Sequence, residues 1–130
     1  MTTDDLPEAV RTFVLERLNS VEQLTVLQLL RADPARAWTV EQISAELRSA
    51  QPAIQRRLDD LYDAGVLVPP AQGEALHRYA PTSPEIADVV SQVLDAFRSR
   101  SHRIIELIYS RPPKGILAFA DAFKLKKEKP

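Results

Sequence analysis

Apolar side chains recur every three or four residues along most of this chain, a spacing that predicts a mainly α-helical protein. Three such runs occupy residues 6–18, 21–32 and 51–64, and each is bounded by polar or turn-forming residues. Thr39, with a glutamine three positions later, forms a capping-box pair that predicts a further, two-turn helix. The first half therefore contains four predicted helices, and a tight turn at residues 48–50 joins the last two.

The helical spacing is interrupted by two short extended segments. Residues 66–68 are apolar and end at two prolines, and residues 76–80 follow the turn residue Gly73, so the pattern predicts a small β-hairpin. Ser83 then opens an apolar run that keeps helical spacing to about residue 109. This run predicts one long C-terminal helix.

The predicted elements divide the chain into three parts. Residues 1–82 hold the helical unit with its hairpin, residues 83–110 the long helix, and residues 111–130 a linker, a short apolar segment and a basic tail. The apolar stripe of the long helix is longer than one small domain covers. We therefore expect the long helix to pair with a second copy in a homodimer; the alternative is that the N-terminal helix folds back over it within one chain.

The order of elements across residues 38–79 is a short extended piece, helix, tight turn, helix and hairpin. This stretch, with IQRRLDDL followed by DAGVL, resembles the recognition helix and its exit in bacterial winged helix-turn-helix regulators of the MarR-like and ArsR-like groups. The resemblance implies a winged helix-turn-helix fold and a DNA-binding transcriptional regulator. In a homodimer, two such helices would read a two-fold-symmetric site about one DNA turn, ~34 Å, apart.

The predicted helix at residues 51–64 has one apolar face and one polar face. The outward positions of its first half are the candidates for base contacts in the major groove: Gln51, Pro52, Gln55 and Arg56. Glutamine amides suit adenine and arginine suits guanine at the groove edge. Arg57 on the flank and Arg78 in the second predicted strand are candidates for contacts with the DNA backbone.

Charge changes this picture only locally. The net charge is −1, but residues 36–58 hold four arginines against two glutamates, whereas residues 1–33 hold three arginines against six acidic residues. The balance within 36–58 favours contact with phosphates. Near-neutral overall charge and the acidic second half of the helix keep an alternative open, a winged-helix protein-interaction module that does not bind DNA.

Composition excludes several other classes of function. There is no cysteine, and only two histidines and three glycines occur, which argues against disulfides, a thiolate zinc site and a glycine-rich phosphate loop. Nothing brings together a nucleophile, a base and an oxyanion donor, so we expect no enzymatic activity and no cofactor. The sequence has neither a signal-peptide pattern nor an apolar run of membrane-spanning length, and it predicts a cytoplasmic protein. No residue marks a small-molecule effector site.

Overall fold

A computed structural model of the chain describes residues 6–70 and 75–110, and this part is mainly helical. It contains six helices: α1 (Glu8–Arg17), α2 (Val21–Ala32), α3 (Val40–Leu47), α4 (Gln51–Asp63), α5 (Pro84–Ser99) and α6 (Ser101–Ser110). The first four follow the predicted helical runs closely. The predicted linker, apolar segment and basic tail at residues 111–130 lie outside the described residues.

Polar side chains fix where several helices begin. The Ser20 hydroxyl accepts a hydrogen bond from the Gln23 backbone N–H (3.0 Å) at the start of α2, and Ser83 accepts one from Ile86 at the start of α5. Thr39 and its glutamine partner complete a reciprocal capping box at the start of α3. These bonds satisfy N–H groups that have no partner within the helix.

The predicted β-hairpin is wrong, and the predicted winged architecture with it, because the described residues contain no β-strand. Val66 and Leu67 are neighbours and both fully buried, whereas a strand with one solvated face would alternate. The two prolines that follow remove backbone donors from any ladder. Residues 76–80 make one isolated antiparallel bridge instead, in which His77 pairs with Trp38 through backbone bonds of 2.7 and 2.8 Å.

The predicted single C-terminal helix is also wrong, because the chain breaks between α5 and α6. Arg100 leaves the helical conformation (φ −140°, ψ 51°), and the next helix begins at Ser101. After this break α6 packs against both α5 and α1. Ile104 and Ile108 are thereby buried. The apolar stripe of residues 83–110 is thus largely covered by other helices of the same chain.

The six helices share one hydrophobic core. On one side α4 packs against α2 and α3, and on the other side α1, α5 and α6 pack against one another. The Arg17 guanidinium joins the two groups by donating to the carbonyl of Ala64 (2.7 Å), the residue that ends α4. Thr82 adds a second link, since its N–H and its hydroxyl both donate to the Gly65 carbonyl. In residues 6–70 and 75–110, no helix has the length and apolarity needed to cross a membrane.

Candidate nucleic-acid interface

Helix α4 separates a buried apolar face from an exposed polar one. Its buried stripe packs against α2 and α3 and consists of three fully buried residues, Ile54, Leu58 and Leu61. The four candidates for base contacts are all exposed on the other side, in the first two turns: Gln51, Pro52, Gln55 and Arg56. The helical spacing therefore located this face correctly.

A tight turn separates the end of α3 from the leading end of α4. Arg48 ends α3 in the left-handed conformation (φ 54°, ψ 47°), and the N–H of Ser49 donates to the Ser44 carbonyl (3.1 Å). Ala50 then opens α4 without a side-chain cap, and Pro52 occupies its first turn. The partial positive charge at this end of the helix is not offset by a capping carboxylate, which is the arrangement that favours a nearby anion.

Arg57 lies in an ion-pair network that holds α2, α4 and the turn together. Its Nε donates to Glu22 Oε1 (3.0 Å) and its Nη1 to Asp60 Oδ2 (3.3 Å). The second oxygen of Glu22 accepts from the Ser49 hydroxyl (2.6 Å). The hydrogen bonds from Ser49 and Arg57 lower the pKa of Glu22. Arg57 therefore pairs with carboxylates of the protein itself. This role differs from the phosphate contact for which the sequence made Arg57 a candidate.

Two further candidates, Gln55 and Arg56, differ in the partners of their polar side chains. Gln55 Nε2 donates to the Asp59 carboxylate one turn later (3.1 Å), an exposed bond that a base edge can replace at small cost. Arg56 is exposed beside it, and Arg48 is exposed on the preceding turn. The cations available on this surface are thus Arg48 and Arg56 rather than Arg57.

A pair of aromatic rings, the partly exposed Tyr62 and the buried His77, supports the segment that faces the start of α4. The Tyr62 hydroxyl and His77 Nδ1 share a hydrogen bond of 2.6 Å, and the centroids of the two rings lie 5.8 Å apart. Burial lowers the pKa of His77, against an opposing effect of Asp59, and burial also raises the pKa of Tyr62. The neutral imidazole is therefore favoured in the fold.

Trp38 holds the same segment through its backbone hydrogen bonds with His77. Its ring is buried under the Arg36 guanidinium, whose Cζ lies 3.4 Å from the ring centroid. The indole N–H is buried and finds no hydrogen-bond partner among the described residues. The backbone bridge to His77 joins the aromatic pair to this residue, a contact that no local sequence signal could reveal across 39 positions.

A groove of about 590 Å³ runs between the first turns of α3 and α4 and the segment around His77. Its lining residues are Val40, Glu41, Gln51, Pro52, Gln55, Ala75 and His77. Arg78, the remaining candidate, is exposed and adjoins this lining through the chain. The structure thus brings Gln51, Pro52 and Gln55 together along one groove.

Within residues 6–70 and 75–110, no three histidine, aspartate or glutamate side chains cluster as a metal site would require. Comparison with protein-family models, with curated proteins and with solved structures finds no significant match to this chain. Any function must therefore be inferred from the site itself.

Proposed function

We propose that this chain binds duplex DNA through the exposed first two turns of α4. The observation that carries the proposal is the exposure of Gln51, Gln55 and Arg56 on a helix whose opposite face is anchored in the core. An α-helix fits the major groove of B-form DNA, and the residues near its leading end reach the base edges.

The chemistry of these side chains suits sequence reading. The amides of Gln51 and Gln55 can donate to and accept from adenine, and the guanidinium of Arg56 can donate twice to guanine. Arg48 and Arg78 flank this face as exposed cations for the phosphates. The leading end of α4 has no side-chain cap, so its backbone N–H groups add a partial positive charge that also attracts phosphates.

The biological role that fits this binding is transcriptional regulation from a two-fold-symmetric site by a homodimer. The role requires the chain to share a compartment with the DNA, in line with the predicted cytoplasmic location. The dimer surface is no longer expected to be the stripe of one long helix, since the stripe is divided between α5 and α6, which pack against each other and against α1.

To test the proposal, DNA duplexes that the full chain binds are first selected from a library of random sequences. A selected duplex is then the probe. Against the selected duplex, Arg56→Ala should weaken binding by about 1–3 kcal/mol and relax the sequence preference. Arg78→Ala should weaken binding to selected and scrambled duplexes alike, since phosphates carry no sequence information. The matched control is Arg98→Ala, which removes another exposed arginine, on α5, and should leave binding unchanged.

The protein-interaction module remains the second candidate, because the exposed Asp59 and Asp63 on the second half of α4 repel phosphates. Absence of enriched sequences, together with no retention on random duplex at ~50 mM salt, would favour this module, since any binder with several phosphate contacts is strongest at low salt. Equal affinities of the Arg56 and Arg98 variants would remove α4 from the interface.

A further inference from the structure

A second groove, of about 510 Å³, lies on the far group of helices between α1 and α5. Its apolar floor is formed by Phe13 of α1, which is buried, and by Ile86 and Val89 of α5, which are partly exposed. Ile86 and Val89 therefore keep part of their apolar surface in contact with solvent. An apolar strip of this kind suits the apolar side of an added peptide segment.

The rim of this groove is acidic. Glu8, Glu16 and Glu85 all line it and are exposed. The cation of the groove, Arg17, has its guanidinium turned to the Ala64 carbonyl and lies 5.7 Å from the Phe13 ring centroid. The groove therefore selects for a segment that is apolar on one side and positively charged.

The chain contains one segment of this chemistry. Residues 116–123 read ILAFADAF, with one charge in eight positions, and residues 124–129 read KLKKEK, with four lysines against one glutamate. An apolar stretch joined to a basic one matches an apolar floor bordered by carboxylates.

The described chain also ends at a suitable place. Ser110, the last residue of α6, lines a small cleft with Leu6 and Arg11 and so lies beside the first turn of α1. The groove begins on the same turn, at Glu8. The five residues 111–115 span at most ~18 Å when extended, about the length of α1, so residue 116 can reach the groove.

We infer that the α1–α5 groove is the docking site of the chain's own C-terminal segment, residues 116–129. The apolar residues of 116–123 cover the floor, and the lysines of 124–129 pair with the acidic rim. This assignment is independent of DNA binding by α4.

The absence of cysteine makes a direct test possible in the full chain. Thr12→Cys places a thiol in the groove, and Ala118→Cys places one in the segment; Leu15→Cys with Ala118→Cys is the control, since Leu15 is exposed on α1 but outside the groove lining. Docking raises the effective concentration of one thiol at the other, so the groove pair should form its intramolecular disulfide about tenfold faster than the control pair.

Charge reversal tests the acidic rim separately. Glu16→Lys, added to the groove pair, should slow disulfide formation about two- to fivefold, as expected for the loss of exposed ion pairs. Equal rates for the groove and control pairs would overturn the inference, and so would an unchanged rate in the Glu16 variant. A disulfide formed mainly between two chains would assign the groove to a second copy and overturn docking within one chain.

Discussion

At the scale of single residues, exposure on α4 could be predicted but ion pairing could not. Helical spacing alone separates Gln51, Gln55 and Arg56 from the buried stripe of the same helix. Arg57 looked equally available, yet its main partner, Glu22, lies 35 positions away in another helix. A contact at that separation depends on how α2 crosses α4, which no local pattern specifies.

The Arg57 network gives the first prediction at this scale. Arg57→Ala leaves the Glu22 and Asp60 carboxylates without their cation, and we expect a loss of about 1–2 kcal/mol of unfolding free energy, moderated by their partial solvent access. Arg98→Ala breaks a pair that is mostly exposed and should change stability by less than about 0.5 kcal/mol. Urea unfolding of both variants measures the difference, and equal losses would show that the network does not stabilise the fold.

His77 predicts a pH dependence of stability. Burial lowers its pKa in the folded state below the ordinary 6.5, so between these two values the unfolded chain binds more protons. The free energy of unfolding should therefore have its full value above pH 6.5 and should decrease as the pH falls below 6.5. Glu22 affects stability at lower pH. Because its carboxyl pKa is lowered in the fold, its contribution to the free energy of unfolding is lost only as the pH falls below about 4.5.

Urea unfolding between pH 7.5 and 5.5 tests this assignment. His77→Gln should flatten the dependence in this range, whatever its effect on absolute stability, whereas the exposed His102→Gln should leave it intact. A dependence that survives in the His77 variant and disappears in the His102 variant would contradict the assignment.

At the scale of elements, the first four helices could be predicted from the sequence, whereas the absence of the hairpin and the break at residue 100 could not. The cap residues Ser20, Thr39 and Ser83 mark true starts, because capping is a local interaction. The hairpin was wrong because Val66 and Leu67 entered the core together, a tertiary effect that overrides strand-like composition. The break at Arg100 interrupts an apolar spacing that continues on both sides of it, and only packing of α6 on α1 shows that the direction changes.

Packing of α6 gives a prediction at the same scale. Ile104 is fully buried, so Ile104→Ala should cost about 2–5 kcal/mol of unfolding free energy in a monomeric chain. Tyr109 on the same helix is 75% exposed, and Tyr109→Ala should stay within about 0.5 kcal/mol. Thermal or urea unfolding checks both, and a small cost at Ile104 would favour a continuous helix that does not fold back.

At the scale of the whole molecule, the two groups of helices present surfaces of different charge. α4 presents polar and cationic side chains at its leading end, while α1 and α5 border an acidic groove on the other group. Arg17 and Thr82 connect the groups at the far end of α4, so the leading end stays free of the contact between them. The net charge of −1 does not reveal this division, because basic and acidic residues occur in nearly equal numbers in the whole sequence.

The central claim is that the leading end of α4 contacts duplex DNA, and amide chemical shifts measure this most directly. Titration of the labelled full chain with a mixed-sequence duplex of ~20 base pairs, about two helical turns, at ~50 mM salt should shift amides mainly between Arg48 and Arg57. These shifts should shrink as salt is raised. Absence of shifts, or shifts confined to α1, α5 and α6, would contradict the claim.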